Sequence, residues 1–150
     1  MDFSKFDKDI DIEGLKADIK DAEQNKQDKY KDVPHGSYEI NIDKLELTTS
    51  KKGDPMVSCW MNIIEGEFKK NKIFMNQVIT QGFQIHIAND FLRSLDSGLE
   101  IEFKNYTRYD ALLMDIHEAI DNKKEYVIDY GENAKGFNTF KITEIFDVEG

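Results

Sequence analysis

The middle of the chain holds two stretches in which residues alternate with the period of a β-strand. In residues 56–64 one alternate set is uniformly apolar, and it consists of Val57, Cys59, Met61 and Ile63. In residues 72–80 the corresponding apolar set is Ile73, Met75 and Ile79. Side chains at every second residue of a strand share one face of the sheet. The pattern therefore predicts a hairpin whose apolar sets face a core, while Trp60 and Phe74 share the opposite face.

The rest of the chain supplies three further strands and three helices. An apolar stripe at helical spacing over residues 12–22, with Asp11 as its cap, predicts an N-terminal helix. In residues 36–47 the alternation slips by one position between Ile42 and Leu45, which predicts a bulge or a sharp bend in the first strand. The other predicted elements are helices at 83–95 and 107–121 and strands at 125–130 and 137–146.

The order of these elements, a helix, three strands, a helical insertion and a final hairpin, matches that of an OB-fold. The predicted fold class is therefore α+β, a five-stranded OB-like β-barrel with an N-terminal helix and a helical insertion between strands three and four. The predicted domains are an N-terminal arm and helix at residues 1–32 and the OB-like domain at residues 33–150. OB-folds bind oligonucleotides on strands two and three and on the loops after strands one and four.

Charge and composition narrow the classes of protein that this chain can represent. Its 150 residues carry a formal net charge of -10, yet residues 35–82 hold six lysines against six acids and are neutral. The central hairpin is thus the least acidic region, which keeps nucleic acid open as a partner. No apolar run approaches the roughly 20 residues that a membrane span needs, and the single cysteine excludes an internal disulfide. The N-terminus has no apolar signal region, so we expect a cytoplasmic location.

The residues expected to contact nucleic acid lie on the central hairpin and its loops. Trp60 and Phe74 are the predicted stacking platforms, although a helix packed over this face would make both rings core residues. Asn62 and Asn76 are the polar neighbours on the same face. The predicted phosphate contacts are loop lysines that we interpret as one cluster on adjoining loops, namely Lys51, Lys52, Lys69, Lys70 and Lys72. Beside the last hairpin loop, Lys135 and Phe137 complete the predicted site.

Six short motifs along the chain carry a resemblance to a known family. They are Met1-Asp-Phe-Ser-Lys-Phe-Asp7, Val33-Pro-His-Gly-Ser-Tyr38, Ser50-Lys-Lys-Gly-Asp-Pro-Met56, Phe74-Met-Asn-Gln77, His86-Ile-Ala-Asn-Asp-Phe-Leu92 and Tyr130-Gly-Glu-Asn-Ala-Lys-Gly-Phe137. In order and spacing they resemble a family of phage and prophage proteins catalogued as a domain of unknown function. That family is often encoded beside recombination and replication genes and is similar to single-stranded DNA-binding proteins with an OB-like core. The resemblance therefore implies single-stranded DNA as the partner.

The expected function is that of a phage-type single-stranded DNA-binding protein that coats and protects strands during replication or recombination. No catalytic residue, metal site or cofactor is predicted, because His35, His86 and His117 are scattered and no phosphate-loop lysine follows Gly136. The expected partners are single-stranded DNA and a phage recombinase or replication protein, in the cytoplasm of a bacterial host, and self-association is left open. The alternative is a non-catalytic interaction module that binds a host or phage protein through its acidic helices and N-terminal arm.

Overall fold

The computed structural model of the protein describes residues 32–148, which form one antiparallel sheet with two helices packed on it. The strands are β1 (Gly36–Thr49), β2 (Pro55–Ile63), β3 (Lys72–Val78), β4 (Lys124–Glu132) and β5 (Asn138–Asp147), and the helices are α1 (Gly82–Ser94) and α2 (Tyr106–Ile120). These five strands and the helical insertion lie where the sequence pattern predicts them. The predicted N-terminal helix lies outside the described residues.

The sheet is open, so the predicted OB-like barrel is wrong. Its strand order is β3-β2-β1-β4-β5, and the strands at the two ends of that order, β3 and β5, are not hydrogen-bonded to each other. Closing a sheet into a barrel requires such a ladder between its edges. Here α1 packs against both β3 and β5 instead. The physical consequence is that two strand edges remain within the described part of the chain, on either side of a helix.

The long strand β1 contains the bulge that the sequence pattern predicts. Its pairing with β2 joins Ile42 to Met61 and then Lys44 to Trp60, so that Asp43 has no opposite residue. A bulge shifts the side-chain alternation by one residue, and this shift allows Ile42 and Leu45 to face the same core. The bulge also bends the strand. This bend helps β1 to pair with β2 over its second part and with β4 over its first part.

The core lies between one face of the sheet and the two helices. Its sheet side is built from the predicted apolar sets of β2 and β3 together with matching positions of β1 and β4, and its helix side from residues such as Leu92 and Leu113. Buried tyrosines tie the layers together through their hydroxyl groups. The Tyr126 hydroxyl donates to the Leu95 carbonyl at 2.7 Å, and that of Tyr106 donates to the Ile79 carbonyl at 2.7 Å. These bonds fix the end of α1 and the start of α2 on the sheet.

Both helices begin with side-chain caps. Asn105 precedes α2, and its side-chain oxygen accepts from the Arg108 backbone N–H at 2.8 Å. At α1 the buried Gln84 side-chain oxygen accepts from the backbone N–H groups of Thr80 at 2.8 Å and Gln81 at 3.0 Å. Such caps satisfy backbone groups that the first helical turn leaves open. Neither of these helices of the described residues is long and apolar enough to cross a membrane.

Candidate functional site

The two predicted stacking rings are direct neighbours across β2 and β3. Two backbone hydrogen bonds, Ile79 N to Pro55 O (2.9 Å) and Ile63 N to Asn71 O (3.0 Å), show which opposite residues of this ladder are hydrogen-bonded pairs. Because bonded and non-bonded pairs alternate, Trp60 and Phe74 form a non-hydrogen-bonded pair, in which side chains approach most closely. Their ring centroids are 5.1 Å apart and the planes meet at 78°.

Neither ring offers an open platform in this structure. Phe74 is only 1% exposed. Trp60 is half-buried, and the Lys44 Nζ atom lies 5.0 Å from the centroid of its ring. A base needs an accessible ring face in order to stack. Burial therefore removes Phe74 as a stacking surface here and restricts Trp60, and their predicted role in binding stays a prediction.

Polar side chains on this face of the hairpin bind one another. The Ser58 hydroxyl donates to the Asn76 side-chain oxygen at 3.1 Å, and Asn76 is only 4% exposed. The Asn76 Nδ2 atom is buried and has no hydrogen-bond partner within residues 32–148. At the other end of the hairpin, Lys72 forms an ion pair with Asp43 at 2.9 Å and also donates to Asn62. The Lys72 charge is thus balanced by a carboxylate.

The remaining lysines do not form the single cluster that the sequence interpretation assumes. Lys51 and Lys52 lie in the loop between β1 and β2, whereas Lys69 and Lys70 lie in the turn between β2 and β3. The first loop enters β2 and the second leaves it, so the two pairs stand at opposite ends of that strand. Nine residues at about 3.3 Å each separate them by about 30 Å. All four lysines are exposed. Because the two pairs lie at opposite ends of β2, one short stretch of phosphates cannot contact both.

A groove of about 750 Å³ lies between β3 and β5, with α1 along it. We call it the edge groove. Its lining comes from three parts of the chain: Met75, Asn76 and Gln77 of β3; Phe83, Ile87, Asp90, Phe91 and Ser94 of α1; and Asn133, Ala134, Lys135, Phe137 and residues 138–142 of the last hairpin. Three predicted site residues, Asn76, Lys135 and Phe137, are brought together here although they are far apart in the sequence.

The edge groove combines an apolar floor with charges at its β5 side. Phe83 and Ile87, one turn apart on α1, are 51% and 49% exposed. Lys135 and Lys141 are also exposed, and Asp90 is the acid in the lining. Sequence reasoning missed Phe83, Ile87 and Lys141 as site residues. Phe83 and Ile87 could have been identified from the sequence, because they make the apolar face of α1 wider than its contact with the core requires.

The loop that carries Lys135 is held in place by a side chain at its start. The Asn133 side-chain oxygen accepts from the backbone N–H groups of Lys135 at 2.9 Å and Phe137 at 3.1 Å. Gly136 has a φ of 84°, a left-handed conformation that glycine adopts without strain. This turn fixes Lys135 and Phe137 at the mouth of the edge groove.

An aromatic stack that the sequence analysis did not identify stands behind that loop. Tyr130 and Phe140 face each other across β4 and β5 with stacked rings 5.4 Å apart. The exposed His35 ring meets the edge of Tyr130 at 4.8 Å, and its Nε2 atom lies 3.1 Å from the Asn138 side-chain oxygen. Of these residues, Phe140 and Asn138 line the edge groove.

Comparison with known proteins assigns the chain to a family. A family model described as protein of unknown function, DUF669, matches residues 16–140. The chain belongs to the DUF669 family. No curated protein matches it. The predicted resemblance to a domain of unknown function is confirmed at that level, and the family description assigns no activity.

The DUF669 match covers almost all of the edge groove. It includes β1 to β4, both helices and the loop with Lys135 and Phe137, and it ends at Phe140 in β5. Within residues 32–148 no group of three or more His, Cys, Asp or Glu side chains could hold a metal ion. The exposed His86 instead contacts the carboxylate of Asp90 at 3.2 Å, one helical turn away.

Proposed function

We propose that this DUF669 protein binds single-stranded DNA in the edge groove, without catalysis. The observation that carries the proposal is the composition of that groove, where phenylalanine rings, side-chain amides and two lysines line one concave surface. Proteins that hold single strands combine aromatic surfaces for bases with positive charges along the path of the phosphates. Phe83 and Phe137 supply rings, and Lys135 and Lys141 supply charges.

The charge distribution of the molecule favours this surface over others. The chain as a whole is acidic, at -10, so most of its faces repel phosphates. Two lysines against one acid make the lining of the edge groove net positive. An uneven field of this kind directs a polyanion towards one surface and makes the affinity depend on salt.

The proposed ligand is a single strand because the side chains that line the groove suit contact with unpaired bases. Apolar rings such as Phe83 contact base faces only where the bases are unstacked. In a duplex those faces are stacked on one another. We therefore expect the edge groove to select single-stranded over double-stranded DNA.

The biological part of the proposal follows the resemblance to phage and prophage proteins. The protein would coat and protect exposed strands in the cytoplasm of a bacterial host and present them to a phage recombinase or replication protein. Several copies would bind along one strand. The DUF669 assignment is compatible with this role and gives no independent support for it.

The test is binding of a fluorescein-labelled oligothymidylate of about 15 nucleotides, followed by anisotropy at low salt. We compare the unmodified protein with the double variant Lys135→Ala/Lys141→Ala. The matched control, Lys104→Ala/Lys123→Ala, removes the same charge from exposed positions that do not line the groove. We expect the groove variant to bind at least about tenfold more weakly and the control to change by less than about twofold. If the unmodified protein does not bind, or if both variants weaken equally, the proposal fails.

A second candidate function has its own observation. The exposed apolar pair Phe83 and Ile87 is also what a protein partner would contact, since exposed apolar patches mark interaction sites. The N-terminal arm that the sequence analysis assigns to this alternative together with the acidic helices lies outside the described residues. In that case Phe83→Ala would abolish capture of the protein partner, and oligothymidylate would not bind at all.

A further inference from the structure

The edge of β5 that lines the edge groove presents backbone groups that point away from β4. The bond from Asn133 N to Phe137 O (2.9 Å) fixes the phase of the ladder between β4 and β5. By the alternation of an antiparallel ladder, Thr139 and Lys141 bond to β4, while Phe140 and Ile142 direct their N–H and C=O groups away from it. Both outward-facing residues line the groove. Within residues 32–148 no strand pairs with this edge.

The edge of β3 presents one residue with outward-facing backbone groups on the opposite side of the edge groove. The phase of the ladder between β2 and β3 directs the backbone groups of Asn76 away from β2 and towards the groove. Next to it, the Val78 carbonyl already accepts from the Gln77 side chain at 2.8 Å. The open part of this edge in the groove is therefore short, and its use is confined to Asn76.

From these two edges we propose that the protein holds single-stranded DNA by hydrogen bonds between strand-edge peptide groups and the Watson–Crick edges of the bases. The inference rests on the proposed function and specifies how that site recognises its ligand. Phe140 and Ile142 of β5, with Asn76 of β3, are the residues whose backbone N–H and C=O groups make the contacts.

The chemistry of the bases fits such an edge. An outward-facing strand residue offers one donor and one acceptor side by side. Every base carries an adjacent donor and acceptor on its Watson–Crick edge, as in the N3–H and O4 of thymine or the N1 and N6 amino group of adenine. Proteins that bind single strands use these edges when the bases are unpaired. Recognition by peptide groups is therefore tolerant of sequence but excludes a duplex, whose base edges are already paired.

The spacing of the edge sets the conformation of the bound strand. Outward-facing residues of a strand repeat every two residues, or about 6.7 Å. This is about twice the 3.4 Å rise between stacked bases of one DNA strand. Bases that contact Phe140 and Ile142 in turn must therefore be unstacked, which leaves room between them for an aromatic side chain of the groove.

The first test changes the DNA and leaves the protein intact. Oligothymidylate of about 15 nucleotides is compared with the same oligomer methylated at N3 of every base. Methylation keeps the charge and the ring but removes the donor and blocks the acceptors beside it. We expect the methylated oligomer to bind at least about tenfold more weakly, since buried peptide groups would lose their partners. Equal binding of the two oligomers overturns the inference while the proposed function stands. Failure of both to bind overturns the proposed function itself.

The second test removes one outward N–H from β5. Ile142→Pro deletes the donor, and proline is tolerated at strand-edge positions whose N–H does not join the ladder. Ile142→Ala removes the side chain and keeps the N–H. Ile145→Pro is the matched control. The backbone bond from Val148 N to Lys123 O shows that residue 145 also directs its N–H away from β4. Residue 145 lies on the same strand edge but does not line the groove.

We expect Ile142→Pro to bind oligothymidylate about three- to tenfold more weakly than Ile142→Ala, and Ile145→Pro to bind as the unmodified protein does. Equal binding of the proline and alanine variants at position 142 overturns the inference. So does binding of a peptide of alternating valine and threonine that Ile142→Pro weakens relative to Ile142→Ala, while both variants bind oligothymidylate equally. That result would assign the edges to an added peptide strand.

Discussion

The buried pair of Ser58 and Asn76 gives a prediction in which stability changes while DNA binding is kept. The Ser58 hydroxyl donates to the Asn76 side-chain oxygen at 3.1 Å, and both residues are buried. Within the described part of the chain the Asn76 Nδ2 atom has no acceptor. A buried polar group without a partner destabilises the native state by about 1–3 kcal/mol, whereas a satisfied hydrogen bond contributes about 0.5–1.5 kcal/mol.

These magnitudes predict different results for a single and a double substitution. Ser58→Ala alone removes the donor to Asn76 and should lower the free energy of unfolding by about 1–3 kcal/mol. Ser58→Ala/Asn76→Leu removes the bond and the unpaired amide together. It should therefore be as stable as the unmodified protein or up to about 2 kcal/mol more stable. Because Asn76→Leu keeps the backbone groups proposed to contact DNA in the edge groove, the double variant should bind oligothymidylate as the unmodified protein does.

The assay is urea unfolding followed by circular dichroism, with binding measured on the same preparations. A shift of the midpoint at constant slope reports stability alone. A double variant that loses more than about 1 kcal/mol would contradict the account of the buried amide. A double variant that loses affinity would contradict the assignment of the DNA contact to the backbone of Asn76.

Four further outcomes follow from the structure. The Cys59 thiol is buried, and burial raises its pKa, so a thiol reagent should react with it only after urea unfolds the chain. Tyr126→Phe should lower the free energy of unfolding by about 1–3 kcal/mol, because the Leu95 carbonyl loses its donor. Burial also raises the pKa of Tyr126. As the pH rises, the unfolded chain therefore loses the Tyr126 hydroxyl proton before the folded chain does. The free energy of unfolding, intact at neutral pH, should fall above about pH 9–10 when unfolding is measured at increasing pH. Lys135→Ala/Lys141→Ala should reduce the salt slope of binding by about 1.4, so that from 50 to 200 mM salt the unmodified protein loses about sevenfold more affinity than the variant.

The register of the central hairpin could be predicted because it depends on local alternation. Period two assigns Trp60 and Phe74 to one face, and antiparallel pairing then brings the rings within 5.1 Å. Exposure of that face could not be predicted, since alternation does not tell whether a second layer covers it. Phe74 is buried, although its neighbour and its face are as expected.

Barrel closure failed as a prediction because it depends on strands that are distant in sequence. The order of the elements fixes which strands can form hairpins, but the pairing of β3 with β5 is decided by what occupies the space between them. In this structure α1 packs against both strands. The open edges that result form the edge groove, so the error in the fold and the omission of Phe83 from the site have the same cause.

One misjudged feature was within reach of sequence reasoning, and one missed feature was not. Consecutive loops of a meander lie at opposite ends of the strand they share, so Lys51 and Lys69 could not belong to one cluster beside β2. Tyr130 and Phe140 are opposite each other because the turn that closes the hairpin spans residues 133–137. The loop predicted from the sequence, 131–136, would have paired Tyr130 with Phe137 instead.

Photo-crosslinking can locate single-stranded DNA bound in the edge groove. An oligomer that carries 5-iodouracil is bound, irradiated and digested with the protein, and the crosslinked peptides are identified by mass spectrometry. We expect crosslinks to aromatic residues that line the groove, above all Phe83, Phe137 and Phe140. Crosslinks confined to peptides outside the groove, such as the loop with Lys51 and Lys52, or no crosslink at saturating DNA, would contradict binding in the edge groove.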